Sequence, residues 1–145
     1  MKTIIAVAAC VLAFTFAVPT QAQQPTLYKR LGGYDAMVAV SDDFLGRLSV
    51  DPQFARFFSG HSTDSMKRLR QHVVEFLCSA TGGPCVYLGR DMKTSHAGLG
   101  ITGAEWDASV KGLVATLDKL NVPAKEKDEV LGAVSSLKKD IVDKP

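Results

Sequence analysis

Charge of one sign is scarce in this sequence. Seventeen Lys and Arg face fifteen Asp and Glu, a formal charge of only +2 over 145 residues. The cations are scattered, so no basic stripe points to a nucleic acid. Catalytic signatures are missing too. There is no Gly-x-Ser-x-Gly elbow, no phosphate-binding glycine loop and no His-Glu-x-x-His helix. Carboxylates are plentiful, yet none falls on an apolar helix face, so a dedicated hydrolase or transferase gains little support. Repeats, low-complexity tracts and a convincing pair of strands are also absent. Hydrophobic residues, by contrast, make up 46% of the chain. That is enough for one packed domain and too much for wholesale disorder.

Cysteine is scarce as well, with three in all. Cys10 lies in a segment that reads as a secretory signal. Met1-Lys2 supplies a short positive start, Ile4 to Val18 is apolar except at Thr15, and Thr20-Gln21-Ala22 offers small residues for cleavage. The apolar run of 15 residues is short for a bilayer span. Cleavage after Ala22 is expected, which leaves residues 23–145 as an exported, periplasmic domain with no stable membrane span. The alternatives are an uncleaved N-terminal anchor and a lipoprotein modified at Cys10; the apolar run continuing past Cys10 argues against the second. Cys78 and Cys85 remain as an even pair. In an oxidising compartment they are a disulfide candidate, the alternative being two buried thiols. Their spacing does not suit zinc, and no Cys-x-x-Cys-His is present for covalent heme attachment.

The apolar periodicity is helical throughout. Met37, Ser41, Phe44, Leu45 and Leu48 form a stripe on a helix from about Tyr34 to Ser49. Asp51-Pro52 reads as a cap with proline in the first turn of a short helix through Phe58. The next helix runs from Thr63 to Ala80 with Met66, Leu69, Val73, Phe76, Leu77 and Ala80 on one face, and Gly82-Gly83-Pro84 stops it. A non-helical stretch through Tyr87 to Gly89 leads to a short helix from Arg90 to Ala97. Thr102 and Glu105 form a capping box that opens a helix carrying Trp106, Val110, Leu113, Leu117 and Leu120. Pro123 starts a last helix through Ile141. The expected class is all-α, one domain.

The sequence holds only three histidines. His72 sits between Leu69 and Phe76, which places it on the apolar face of its helix. Taken alone, it reads as a core histidine whose nitrogens find partners. His96 ends its short helix one turn after Met92, where an imidazole also suits the negative end of the helix dipole. His61 follows Gly60 in a loop and reads as solvated.

Three blocks give these histidines a different meaning. They are Leu27-Tyr28-x-x-Leu31-Gly32-Gly33, Phe57-Phe58-x-Gly60, and the run from Gly82-Gly83-Pro84 through Tyr87, Gly89-Arg90, Met92 and His96 to Gly98, Gly100, Ile101 and Thr102. In this order and spacing the chain resembles the group I truncated hemoglobins from Leu27 to about Leu137. The resemblance implies a two-over-two helical sandwich around a non-covalent heme b, with His96 as the proximal iron ligand. It places Phe58 against the porphyrin and Phe44, Phe76, Leu77, Met92, Ile101 and Trp106 around the pocket. His72 falls where some cyanobacterial members carry a histidine that binds the iron as an internal sixth ligand.

The chain also departs from the family pattern. Leu45 stands where many members have an oxygen-binding tyrosine, and Leu69 and Val73 stand where glutamine is common. The resemblance thus implies a heme protein that binds diatomic gases, dioxygen foremost and also nitric oxide or carbon monoxide, as a monomer. The competing expectations are nitric oxide dioxygenation, nitrite or peroxide chemistry, and electron transfer. All three require an external electron donor, since no flavin or nicotinamide domain is present. A cofactor-free helical binding module is the remaining alternative.

Overall fold

The computed structural model describes residues 24–143. The expected signal segment, with Cys10, lies outside them. Every regular element among the described residues is a helix. Most begin at a local cap or turn. The Thr26 hydroxyl accepts the Lys29 amide to open α1, Leu27–Leu31. Gly32 and Gly33 then adopt positive φ of 109° and 78°, which turns the chain sharply into α2, Tyr34–Val50. Asp51 caps a 3-10 turn, Pro52–Phe54, that runs into α3, Ala55–Phe58. Ser62 caps α4, Thr63–Ala80, and Asp91 caps α5, Met92–His96. The capping box of Thr102 and Glu105 is fully formed at the start of α6, Gly103–Lys119.

The single last helix expected after Pro123 is corrected by the structure. It divides into α7, Ala124–Ser135, and α8, Lys138–Ile141. The Ser135 and Ser136 hydroxyls donate back to the Gly132 and Ala133 carbonyls, and the Leu137 amide bonds to Val134 in a tighter turn. Such local bonds compete with the regular ladder. The break lets α8 pack against α5.

Helices α2 and α4 form one packed pair and α6 and α7 the other, and α2 joins them by also packing on α6. The core follows this sandwich. Val40, Leu113, Leu117 and Val130 form one buried cluster, and Met37, Val74 and Cys78 form a second. Cys78 is bonded to Cys85, with Cα atoms 5.7 Å apart, which ties the end of α4 to the loop after it. Among the described residues no helix is long and apolar enough to cross a membrane.

The carboxylates also correct the sequence reading. Glu105 and Glu126 are only 8% and 9% exposed, and the Asp43 side chain is 13% exposed. Each is paired with a cation: Glu126 with Arg30, Glu105 with Arg56, and Asp43 with Arg47 and Lys119. Asp43 also accepts from Thr116, so it links α2 to α6. Lys119 foremost, then Arg47 and Thr116, hold its carboxyl far below the ordinary range. Most of these partners lie dozens of residues away, beyond the reach of helical periodicity. Among the described residues no buried polar side-chain atom lacks a hydrogen-bond partner.

Candidate functional site

The site starts from α5, a helix of five residues. Asp91 opens it by accepting the Thr94 amide at 2.7 Å and the Thr94 hydroxyl at 3.0 Å. These bonds, the amide first, hold the Asp91 carboxyl below its ordinary value. His96 closes the helix, and its Nδ1 lies 2.7 Å from the Met92 carbonyl oxygen. A carbonyl only accepts, so Nδ1 carries the proton and donates it. In the neutral imidazole, Nε2 then keeps a free lone pair, which is how histidine ligands are commonly oriented for a metal. Met92 thus contributes its backbone carbonyl.

Helix α4 presents two apolar faces that differ in cover. Val74 and Cys78, both 0% exposed, pack toward Met37 on α2. Leu69, His72, Val73 and Phe76 share another stripe by their spacing of three and four. No protein layer buries this stripe completely: Leu69 is 38% exposed, the His72 side chain 50%, and Val73 and Phe76 are half-buried. The core-histidine reading of His72 is thereby corrected. Its ring stands edge-on to Tyr87, with centroids 6.3 Å apart, and Nδ1 lies 3.9 Å from a Glu75 carboxylate oxygen. Helical spacing showed which residues share a face but not what covers that face.

Tyr87 links this stripe to the disulfide loop. It meets Phe76 edge-on at 5.4 Å and donates its hydroxyl to the Arg90 carbonyl at 2.7 Å. Its place in the third block signalled it, although no pocket role was assigned to it. The other expected residues divide. Phe58 on α3 and Ile101 before α6 are half-buried, and Trp106 is buried in the first turn of α6. Phe44 packs against the cluster of Val40 and Leu113, and Leu77 packs against both buried clusters, so Leu77 belongs to the core side of α4. Leu45 lines a groove of about 300 Å³ between α2 and α4, together with Met66 and the paired Asp42 and Arg70.

The arrangement suits one kind of metal group. Among the described residues no cluster of three or more His, Cys, Asp or Glu is placed to hold a bare ion. A single imidazole with a free Nε2 suits a metal whose other ligands come from a macrocycle. The incompletely covered apolar stripe on α4 offers the flat, greasy surface such a ring needs. Heme meets both conditions.

Known proteins agree with this geometry. The bacterial-like globin family matches residues 26–143. The chain is 36% identical over 121 residues to the group 1 truncated hemoglobin GlbN of Mycolicibacterium paratuberculosis, covering 83% of this chain and 87% of that protein. It is 35% identical over 119 residues to GlbN of Nostoc commune, covering 82% and 98%. The crystal structure of the truncated hemoglobin of Tetrahymena pyriformis in the Fe(III) form matches with a TM-score of 0.74 at 30% identity, covering 81% of this chain and 98% of that one. The chain therefore belongs to the bacterial-like globin family and has the two-over-two fold of the truncated hemoglobins.

Proposed function

We propose that this globin is exported to the periplasm and there binds diatomic gases reversibly, dioxygen foremost, on a non-covalent heme b held by His96. The observation that carries the reading is the 2.7 Å bond from His96 Nδ1 to the Met92 carbonyl, which leaves Nε2 for iron. Heme supplies an iron that takes one protein ligand and leaves its opposite face to a gas. The chain's own residues then set affinity. Leu45, Leu69 and Val73 offer no hydrogen-bond donor. Losing a charge-assisted bond to a polarised ligand costs about 1.5–3 kcal/mol, roughly a ten- to hundredfold weaker hold on dioxygen.

His72 is the polar exception on the distal stripe. Its place on α4 among Leu69, Val73 and Phe76 supports a role as an internal sixth ligand that competes with gas and lowers apparent affinity by the closed fraction. The test is the visible spectrum of heme-loaded natural chain and His72→Ala, each ferric, ferrous and ferrous with carbon monoxide. A low-spin ferric spectrum that turns high-spin in His72→Ala is expected, with a sharp carbonyl Soret band in both. No Soret band at saturating heme would reject the heme reading. An unchanged low-spin spectrum in His72→Ala would reject only the internal ligand. Export is checked separately, by an intact mass beginning at Gln23 in the extracytoplasmic fraction.

A further inference from the structure

We propose that Arg56 is a positioning residue for His96: it fixes the segment that follows the histidine and so sets where the imidazole meets iron. This depends on His96 being the iron ligand, as proposed above.

Within α5 Met92 orients the His96 ring, but the helix does not fix its own position. The helix has five residues, below the length at which a helix holds itself together. The chain after it passes through Gly98 and Gly100, with φ of 77° and 64°, in a region open to glycine and costly to most other residues. Restraint therefore comes from outside, from α8 packed against α5 and from one side chain that holds the loop beyond it. Arg56 on α3 donates from Nη1 to the Leu99 carbonyl at 2.7 Å and from Nη2 to the Gly100 carbonyl at 3.2 Å. Nη2 also reaches both Glu105 oxygens, at 2.8 and 2.9 Å, and Nε reaches one of them at 3.3 Å. The Leu99 amide donates in turn to the His96 carbonyl at 3.2 Å. Leu99 is thus gripped at its carbonyl by Arg56 and bonded at its amide to His96.

The far end of the grip is anchored as well. Glu105 is buried and accepts the Thr102 amide at 2.8 Å and the Thr102 hydroxyl at 2.9 Å, so it cannot shift without uncapping α6. On the opposite edge of the loop, Asp143 accepts the Gly100 amide at 2.8 Å and its own amide donates to Ile101. The Arg56 guanidinium lies 4.0 Å from the centre of the Phe57 ring, which fixes the plane of the fork.

A plain ion pair would not need this geometry. Glu105 is buried, so losing the Arg56 charge altogether costs stability, but the Arg56 side chain is 50% exposed and a lysine there keeps a cation beside the carboxylate. Only a guanidinium can serve two carbonyls and a carboxylate from one plane; lysine keeps the charge and loses the fork. The role is therefore separable from folding.

The experiment uses the full heme-loaded chain carrying His72→Ala, which leaves the ferrous iron without an internal sixth ligand, alone and with Arg56→Ala or Arg56→Lys. The readouts are the iron–histidine stretching band of the ferrous protein by resonance Raman, the rate of heme transfer to excess acceptor apo-globin, and the urea midpoint of the heme-free chain. Both variants are expected to shift or broaden the band and to speed heme loss about ten- to hundredfold, the usual scale for partners behind a metal ligand, while the urea midpoint moves little in Arg56→Lys. An unchanged band and unchanged heme loss in both variants would overturn the proposal. So would full rescue by lysine, since charge alone would then suffice. A His72→Ala chain with heme but no iron–histidine band would instead reject His96 as ligand. Should Arg56→Ala fail to fold, Arg56→Lys still carries the test.

Discussion

Around His96 the chain is tied on every side: Asp91 caps its helix, Met92 orients its ring, and Arg56 and Asp143 hold the loop beyond it. Around His72 there is little of this. That ring projects half-exposed from α4, edge-on to Tyr87 and at the limit of ion-pair distance from Glu75. The contrast separates two jobs. A permanent ligand benefits from being placed in advance, because the ordering cost is met during folding. A ligand that must yield to a gas benefits from freedom to leave. On the proposed roles of the two histidines, the proximal side is built for geometry and the distal side for exchange.

Removing the imidazole on each side tests this division most severely. His96→Gly is expected to weaken heme retention more than about a hundredfold, beyond the usual effect of second-layer partners. His72→Ala is expected to change it less than about tenfold. Both are read by heme transfer to excess apo-globin, and equal losses would break the contrast.

Asp43 tests whether the scaffold behind the site is independent of it. Asp43→Asn removes the carboxylate that joins Lys119, Arg47 and Thr116, and should cost about 2–3 kcal/mol in urea unfolding at pH 7. The folded carboxyl titrates below its unfolded value, so its stabilisation is complete above about pH 4 and is lost as pH falls further. The difference between variant and natural chain should therefore shrink below about pH 4. A constant difference would count against the ion cluster as its source.

The disulfide sharpens the distal half of the comparison. Reduction of the bond between Cys78 and Cys85, seven residues apart, should cost about 2.5 kcal/mol. Amide exchange should rise at Val86 to Leu88 and stay unchanged at His96 to Gly100, since only the first loop hangs from that bond. The smallest effect expected is from Leu45→Tyr. Adding a donor to the distal side should slow dioxygen release about tenfold, measured by stopped flow. No slowing would mean that Leu45 is turned away from the bound gas, toward its groove with Met66.

Much of the fold was legible before any coordinates. Asp51 and Thr102 read as caps and act through groups two or three residues away, and the start and end of α4 match its apolar run and the glycines after it; Thr26 and Ser62 cap as locally, but neither they nor the short α1 were read from the sequence. His96 was legible only through its neighbours, since a lone histidine at a helix end has an ordinary explanation. The rest depended on distance. Glu105 looked complete as a capping residue, and nothing nearby in sequence pointed to Arg56, 49 positions earlier. Asp43 reached Thr116 across 73 positions. The break at Ser136 escaped notice because its apolar stripe continues through Leu137 and Ile141.

The sequence by itself determined the helical class, most helix starts and the candidate ligands. Caps, turns and periodicity act within a few residues, so they survive in one dimension. Only the tertiary structure decided that α4 has a buried face and an incompletely covered one, that His72 stands half-exposed, and that Arg56 grips the loop after His96. Cover and long-range hydrogen bonds are relations between surfaces, and those exist only once the helices have packed.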